Sequence, residues 1–432
     1  MRALFFGDVP HRLAGAQKSL LAALRHVTEF GVEPSVVFPA DGVFVQACRA
    51  AGLRVRILPA PPAFQSFGRA LTRLGWAGQM DVIVTELLPY AARLARLIDA
   101  ERAEVVHYNT PRGVIMAGLG ARLSGRSAVL HLRGSAAFGQ GYWFAAQALS
   151  DWFILVARAL ERDFLPSSLA RCSVVHNGIS APPLLDRRAA RTLLAARLPP
   201  GVPPLDPGAL LVVSLSSPVP FKGLHHLLEA AAIVRRRGIA ATYWLAGTGQ
   251  DEAYAAWLRR RRDELGLADV IHFIGFLEDT HAVLSAADML ALPSVEHEEL
   301  HYDRVRALVN GTEGLPRSIL EAMAASIPVV ATRVAGVEEQ VEDGATGLVV
   351  PPSDPGALAS ALIRAAQDPA WRRAAGERAR AAVQDRFTVQ AAARGLARGL
   401  EAAAAPRPRL ERSLNVSRLF REAFEHWRRP PH

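Results

Sequence analysis

Two histidines and two glutamates around residue 300 have a spacing that could support zinc chemistry. Residues 297–301 spell His-Glu-Glu-Leu-His, a literal H-E-x-x-H pattern, and Glu321 follows where a third ligand would be expected. On a helix, this spacing places both imidazoles on one face to bind zinc, with the intervening glutamate activating water. His297, His301 and Glu321 are therefore the candidate ligands of a zinc-dependent hydrolase.

The neighbours of this motif favour another interpretation. Helices that carry H-E-x-x-H bury it among apolar residues, whereas here Glu296, Tyr302 and Asp303 flank it. A chain with 13 histidines also produces the pattern by chance at an appreciable rate. The zinc hypothesis further competes for Glu321 with a second acidic pattern.

That second pattern is the pair Glu313 and Glu321, which brackets Gly314-Leu315-Pro316. Proline suits the first turn of a helix, so we expect Glu313 in a loop and Glu321 about two turns into a helix. The first amides of a helix lack partners and its dipole favours anions, so phosphate is an expected ligand there. Both carboxylates can then face one ligand from one wall.

Short β-rich runs alternate with helical stretches and must position these residues. Continuous apolar strands alternating with helices predict parallel sheets covered on both faces. The predicted strands span residues 2–6, 34–38, 54–58, 81–84, 104–108, 127–132 and 152–156, then 209–215, 241–247, 270–276, 288–292, 327–332 and 346–350.

The proline-rich stretch 199–208 interrupts this alternation and predicts a stiff connector. We expect a Rossmann-like domain over 1–198 and a second Rossmann-like domain over 209–385. Residues 386–432 form a helical tail ending in a basic amphipathic helix, which either packs back on the first domain or lies on an anionic membrane.

Polar residues follow several predicted strands of the first domain. Ligands of open α/β sheets bind at the carboxyl ends of the strands. Asn109 and Arg112 follow one strand, and His131 and Arg133 end another. These four are candidates for contact with a substrate, although loop polarity explains Asn109 and Arg112 equally well.

The block from Thr312 to Pro355 resembles the signature of retaining GT-B glycosyltransferases, the glycosyltransferase family 4 group. It contains "EGLPRSILEAMAASIPVVATRVAGVEEQVEDGATGLVVPPSDP". The similarity extends outward over roughly residues 1 to 355. Its further segments are "RLAGAQKSLLAAL", "VVHNGI", "LSSPVPFKGLHHLLEAA", "LAGTGQ", "VIHFIGF" and "ADMLALPS".

The resemblance implies two Rossmann-like α/β/α domains facing across a cleft, with the acceptor on the first and the nucleotide sugar on the second. It also implies transfer of a sugar from that nucleotide-sugar donor. By position, Glu313 contacts the sugar hydroxyls and Glu321 the ribose. Lys222 neutralises the departing diphosphate, and His131 lies beside the sugar. The family places the loop of Gly314, Leu315 and Pro316 on the phosphates, and it places Gly15 where the first domain approaches the donor.

The sequence departs from the family at three places. The family usually has an arginine about five residues before Lys222, where this sequence has Ser216-Ser217. We therefore expect Ser217 in the donor site, and we expect Arg133 or Arg317 to supply the missing positive charge. Where the family has Gly-Gly pairs, this sequence has Ala14-Gly15 and Ala335-Gly336. Residues 295–312 are an insertion, which we interpret as a short helix that faces the acceptor or shields the site.

Composition limits the partners. The chain has 432 residues and a net charge of +9, but only two of its basic residues are lysines, which indicates arginine-rich coding rather than a nucleic-acid surface. No D-x-D metal motif occurs, so we expect no metal or other cofactor in the reaction.

Two cysteines, and the absence of a membrane-spanning run, predict a cytoplasmic protein that could also associate with the inner face of the membrane. The expected partners are a nucleotide-sugar donor and a glycan, lipid-linked or small-molecule acceptor in bacterial surface polysaccharide or glycolipid synthesis. The alternatives are the zinc hydrolase and a non-catalytic GT-B binding module.

Overall fold

A computed structural model of the chain describes residues 1–65, 74–134, 140–164, 166–195, 202–203, 205, 208–249, 251–277, 279–310 and 313–405. It divides into two compact units. One comprises Met1–Gly178 with Val389–His432, and the other comprises Ile179–Thr388.

The first unit is a parallel sheet covered by helices. Its strands are β1 (Arg2–Phe6), β2 (Glu33–Phe38), β3 (Arg54–Ile57), β4 (Val105–Tyr108), β5 (Ser127–Leu132), β6 (Trp152–Leu155) and β7 (Cys172–Val174). Its helices are α1 (Gly15–Leu24), α2 (Val43–Ala50), α3 (Pro62–Gln65), α4 (Trp76–Val82), α5 (Leu88–Ala100), α6 (Pro111–Leu123), α7 (Gln140–Leu149) and α8 (Pro166–Leu169). Shorter turns of helix span Val27–Phe30, Ile83–Leu87 and Arg158–Asp163.

The strand order of this sheet is β3-β2-β1-β4-β5-β6-β7, and every pairing is parallel. All four residues of β4 are buried, as expected for a strand covered on both faces. The order reverses between β1 and β4, and this reversal is the switch point at which such sheets bind ligands.

The second unit repeats the same plan. Its strands are β8 (Leu210–Leu215), β9 (Ala241–Ala246), β10 (Ile271–Gly275), β11 (Met289–Leu292), β12 (His297–Tyr302), β13 (Val305–Asn310), β14 (Val329–Thr332) and β15 (Gly347–Val350). Its helices are α9 (Arg187–Ala195), α10 (Leu224–Arg236), α11 (Glu252–Glu264), α12 (His281–Ala286), α13 (Arg317–Ala324), α14 (Val337–Gln340), α15 (Pro355–Gln367) and α16 (Pro369–Arg386), with a 3-10 turn at Pro220–Lys222.

The main sheet of this unit has the order β10-β9-β8-β11-β14-β15, again all parallel. Its switch point lies between β8 and β11. The two Rossmann-like α/β units predicted from the sequence are therefore confirmed.

The helix α17 (Val389–Ala404) returns to the first unit. Leu396 and Leu400 on this helix are buried in the same apolar core as Phe5 and Val36. Gly399 lies so close to the side chain of Ile154 that a Cβ atom would come within 2.7 Å of it. Packing on the first unit thus holds for this part of the tail, while residues 406–432 lie outside the described residues.

The boundary between the units differs from the predicted one. Residues 179–195 belong to the second unit, although the sequence placed them in the first domain. Arg187 and Arg191 of α9 donate to the buried carboxylate of Asp288 at 2.5 and 3.0 Å. This ion pairing fastens α9 to the second unit. Most of the predicted linker, 199–208, lies outside the described residues.

Two predicted elements are wrong. Residues 81–84 lie at the end of α4 and in the helical turn that follows it, and the side chain of Val84 is exposed. Residues 297–310 form an antiparallel hairpin of β12 and β13, not a short helix. Across the described part of the chain, no helix combines the length and the apolar character needed to cross a bilayer.

Candidate functional site

The loops after β8 and β11 meet at the switch point of the second sheet. The loop after β8 contains Ser216 and Ser217 and ends in the 3-10 turn that carries Lys222. Ser294 lies two residues beyond β11. The backbone amide of Val295 donates to the carbonyl oxygen of Phe221 at 2.9 Å and ties the two loops together.

Lys222 and Glu313 form an ion pair at this edge of the sheet. Both side chains are largely shielded, with exposed fractions of 17% and 10%. The hydroxyl of Ser294 donates to the same Glu313 oxygen at 2.8 Å, and Thr332 donates to the Ser294 carbonyl oxygen at 2.5 Å. The structure thus brings together the two residues that the sequence predicted to be central, and it adds Ser294, which pattern reasoning missed.

Glu321 is held on α13 by two side chains. Arg317, four residues earlier on the helix, donates to one carboxylate oxygen at 2.8 Å, and Thr280 donates to the other at 3.1 Å. Thr280 precedes α12 and was not predicted. Because Arg317 pairs with Glu321, it is fixed beside the start of α13 and carries its positive charge there.

The predicted phosphate loop precedes α13 as expected. Pro316 is the N-cap, and its carbonyl oxygen accepts from Gln340 at 3.0 Å. The carbonyl oxygen of Gly314 accepts from the amide of Gly336 at 3.0 Å, and Leu315 is buried. Gly314 and Leu315 are therefore anchored before a helix N-terminus, the arrangement that favours anions.

Ala335 occupies a backbone conformation that usually requires glycine. Its φ is +39°, in the left-handed region. The carboxylate of Glu296 accepts from the Ala335 amide at 2.7 Å. This hydrogen bond helps to hold the backbone of Ala335 in its left-handed conformation, at a position where the family that the sequence resembles has a glycine.

The first unit has a polar cluster at its own switch point. Asp8 follows β1 and is buried, and Thr110 after β4 donates to it from its hydroxyl. The Thr110 oxygen also accepts from the amide of Gly113 at 3.1 Å and so caps α6. Burial is the main cause that raises the pKa of Asp8 to about 6, against the opposing Thr110 hydrogen bond and the Arg112 charge.

A buried pair of histidines lies next to this cluster. Nε2 of His107 and Nδ1 of His131 are 3.1 Å apart. Burial, with the nearby Arg133 charge, lowers the pKa of His107 to about 3 and also lowers the pKa of His131, so both imidazoles are neutral at pH 7. Burial lowers the pKa of Arg133 itself to about 9, and Arg133 donates to Asn177 at 2.8 Å.

The remaining candidates of the first unit lie at element ends. Gly15 is the first residue of α1 and is exposed. Asn109 follows β4, and Arg112 lies in the first turn of α6 with its Nε 3.4 Å from the sulfur of Met116. Arg112 is also close enough to Asp8 to influence its charge.

The raised pKa of Asp8 makes a prediction for stability. The native carboxyl has a pKa of about 6 against an ordinary 3.8, so native-state stability falls as pH rises between these values. Asp8→Asn removes this titration. The free energy of unfolding of the variant relative to the wild type should therefore increase by about 2 kcal/mol between about pH 4.5 and about pH 7.5. Urea unfolding at both pH values measures this difference. Exposed Asp41, whose pKa is lowered chiefly by hydrogen bonds from Gly42 and Arg49, is the control: Asp41→Asn should show no such gain.

The H-E-x-x-H residues cannot act as predicted for a zinc hydrolase. His297 and His301 lie on β12 rather than on a helix, so their Cα atoms are separated by about 13 Å of extended strand. His301 is exposed and its Nε2 is 2.8 Å from Glu299, while Glu321 is bound by Arg317 and Thr280. The three proposed ligands therefore do not form one site.

Each half of the chain matches a known domain family. Residues 14–179 match the family described as "Glycosyl transferase 4-like domain", and residues 207–368 match "Glycosyl transferases group 1". The two matches correspond closely to the two sheets.

Curated relatives include biosynthetic enzymes of bacteria. The amylovoran biosynthesis glycosyltransferase AmsK of Erwinia amylovora is 32% identical over 194 residues, which are 44% of each chain. The GDP-mannose-dependent alpha-(1-6)-phosphatidylinositol monomannoside mannosyltransferase of Mycolicibacterium smegmatis is 36% identical over 167 residues, 38% of this chain and 40% of the relative. The matched segments thus span less than half of these relatives.

Solved structures match over nearly the whole chain. Anabaena Alr3699/HepE in complex with UDP-glucose superimposes with a TM-score of 0.72 at 21% identity, covering 93% of this chain and 100% of that chain. The lipopolysaccharide biosynthesis glycosyltransferase WaaG matches with a TM-score of 0.62 at 15% identity, covering 92% and 99%. At these identities the likeness establishes the fold.

Proposed function

We propose that this chain, which belongs to the GT-B glycosyltransferases, transfers a sugar from a nucleoside-diphosphate sugar to a glycan, lipid-linked or small-molecule acceptor. Transfer retains the anomeric configuration and needs no bound metal or other cofactor. The observation that carries the proposal is the shielded Lys222–Glu313 pair at the switch point of the second sheet.

Lys222 is the group that meets the donor diphosphate. Its ammonium lies at the start of α10, where loop amides and the helix dipole also favour negative charge. Diphosphate competes with Glu313 for this ammonium, so donor binding exchanges one ion pair for another. As the bond to the sugar breaks, negative charge grows on the leaving diphosphate and the fixed cation stabilises it.

Glu313 and Glu321 then position the rest of the donor. Once diphosphate takes Lys222, the Glu313 carboxylate accepts hydrogen bonds from sugar hydroxyls while Ser294 keeps it in place. Glu321, oriented by Arg317 and Thr280, binds the ribose. Arg317 supplies positive charge near the phosphates, where the family arginine is replaced by Ser216-Ser217.

The amides of Gly314 and Leu315 before α13 bind phosphate oxygens, with Pro316 setting the entry of the helix. Ser217, in the loop after β8, is proposed to contact the same ligand from the other loop. Gly15, at the start of α1, stays a donor-binding candidate on the family resemblance alone. In the first unit, Asn109, Arg112, Arg133 and His131 are the residues proposed to meet the sugar or acceptor. Neutral His131 serves as a hydrogen-bonding partner of the sugar, not as a charged acid.

The reaction balances without a further reactant. The bond between the anomeric carbon and the diphosphate oxygen breaks, and a bond from that carbon to the acceptor oxygen forms on the same face. The acceptor proton passes to the leaving diphosphate. The chain's own residues contribute positioning and charge stabilisation.

The named roles of the relatives support the setting. One of the relatives described above is named for amylovoran biosynthesis, and another is named for mannosylation of a phosphatidylinositol monomannoside. We therefore propose that this chain acts in bacterial surface polysaccharide or glycolipid synthesis, in the cytoplasm or at the inner face of the membrane.

The variant Glu313→Gln tests the proposal. A thermal-shift screen of UDP-, GDP- and ADP-sugars first identifies the donor, because a ligand raises the melting temperature by mass action. We expect Glu313→Gln to bind the corresponding nucleoside diphosphate at least as tightly as the wild type, because no carboxylate then competes for Lys222, but to lose about 100-fold in kcat, since the sugar contact is weakened. NMR of the product should show the anomeric configuration of the donor.

Exposed Glu264, at the end of α11, provides the control, and Glu264→Gln should keep full activity. Turnover unchanged in Glu313→Gln would contradict the assigned role. A nucleotide that binds without turnover of any donor sugar would instead support the non-catalytic binding module.

A further inference from the structure

Three metal-ligating side chains converge behind the inserted hairpin. His225 and His226 are the second and third residues of α10, and Glu298 is the second residue of β12. Side chains alternate across a strand, so Glu298 faces α10 while His297 and Glu299 are exposed on the opposite face. All three residues belong to the second unit.

Their ligand atoms have the spacing of a coordination sphere. Oε1 of Glu298 is 3.2 Å from Nε2 of His225 and 2.9 Å from Nε2 of His226. The candidate ligand atoms all lie within 4.8 Å of one another. In a tetrahedral zinc site with bonds of about 2.0–2.1 Å, neighbouring ligand atoms are about 3.3 Å apart. Small rotations of the side chains therefore suffice to admit an ion.

The surroundings orient these side chains. The hydroxyl of Tyr254 lies 2.8 Å from Nδ1 of His225, the outer hydrogen bond that typically fixes a ligating imidazole with its other nitrogen toward a metal. The Trp257 ring lies 6.0 Å from the His225 ring, and Tyr302 packs edge-on against Tyr254 and tilted against Trp257.

The two histidines provide hydrogen-bond partners for only one of the two carboxylate oxygens of Glu298. Both imidazoles are directed at one carboxylate oxygen, while the other, Oε2, is buried without a hydrogen-bond partner among the described residues. A buried carboxylate normally has both oxygens engaged. A divalent cation at the cluster would offset the buried negative charge and could engage either oxygen.

We propose that His225, His226 and Glu298 bind a divalent transition-metal ion of the zinc class, which fastens the hairpin β12–β13 to the start of α10. Two imidazoles and one carboxylate suit zinc and cobalt and disfavour magnesium. Three protein ligands leave one tetrahedral position for an exchangeable ligand. This site is separate from the transfer reaction proposed above, and it uses the glutamate of the H-E-x-x-H pattern but neither of its histidines.

The test is metal binding by the full chain without a polyhistidine tag. After chelator treatment, addition of ZnCl₂ should restore one tightly held equivalent by elemental analysis, and CoCl₂ should give the visible bands of tetrahedral cobalt. Glu298→Gln and His226→Asn should each weaken zinc binding at least about 100-fold, and Tyr254→Phe should weaken it about tenfold. Amide exchange over 297–310 should slow when zinc is added.

Glu299→Gln and His301→Ala are the matched controls, because these residues lie on the exposed face of the same strand. They should leave zinc binding within about twofold. Circular dichroism establishes that each variant is folded before metal is added. Absence of a bound equivalent in the folded wild type would overturn the proposal. So would binding that survives Glu298→Gln but is lost in His301→Ala, which would indicate a surface site. None of these measurements uses sugar transfer, so the two proposals fail independently.

Discussion

Lys222→Ala is expected to lower kcat for sugar transfer by about 100- to 1,000-fold, the usual cost of removing a positioned charge that stabilises a leaving group. Binding of the free nucleoside diphosphate should weaken less, by about tenfold, because the ammonium contributes one charged contact among several. The larger loss in kcat follows because negative charge on the diphosphate increases as the glycosidic bond breaks. Steady-state kinetics and nucleotide titration separate the two effects.

Arg235→Ala is the matched control for this change. Arg235 lies near the far end of α10, the helix that follows Lys222, and pairs with exposed Asp269 at 2.6 Å, so Arg235→Ala removes one positive charge without reaching the site. Its kcat should stay within about twofold of wild type. An unchanged kcat for Lys222→Ala, with only KM and the diphosphate dissociation constant raised, would show that Lys222 contributes only to binding, which would contradict its role at the leaving group.

Most of the fold was predictable because its signals are local. Buried parallel strands are apolar throughout, and β1 and β5 have the predicted bounds, residues 2–6 and 127–132. The run 81–84 misled because its three β-branched residues, Val82, Ile83 and Val84, also fit a helix when no Gly or Pro separates them from the helical stretches on either side. A helix-propensity cost of at most about 0.7 kcal/mol per residue is easily overridden.

The hairpin illustrates a different limit. Its exposed face carries both histidines of the H-E-x-x-H pattern, while its inner face contacts residues that are distant in sequence. Glu298 faces His225 and His226, and Tyr302 donates to Asp251 at 2.7 Å. The spacing of residues within 295–312 does not indicate those contacts, so the sequence alone could not distinguish a helix from a hairpin.

The site shows the same division. Glu313, Glu321 and Lys222 were identified through a long signature, and the structure pairs two of them directly. Ser294, Thr280 and Thr110 were missed because single hydroxyl residues at strand or helix ends are common. Their roles appear only once the fold brings them against Glu313, Glu321 and Asp8.

The turn that presents Lys222 depends on the next residue. Gly223 has φ +60°, and a Cβ atom there would lie 2.0 Å from the carbonyl oxygen of Pro293. That oxygen belongs to the backbone of the loop after β11, immediately before Ser294. Any larger residue must therefore push apart the loop that carries Lys222 and the loop that carries Ser294, which binds Glu313.

Gly223→Ala should consequently destabilise the protein by about 3 kcal/mol or more and also reduce transfer, since it combines left-handed strain with a backbone clash. Gly238→Ala isolates the first cost: its φ is +73°, but no atom lies within 4 Å of the added Cβ. We expect only about 1–2 kcal/mol there and normal activity. Urea unfolding and kcat measurements of both variants separate the cost of the left-handed conformation from the cost of the backbone clash. Similar losses at the two glycines would mean that the contact with Pro293 yields at little cost, and that the close packing of the two loops does not position Lys222.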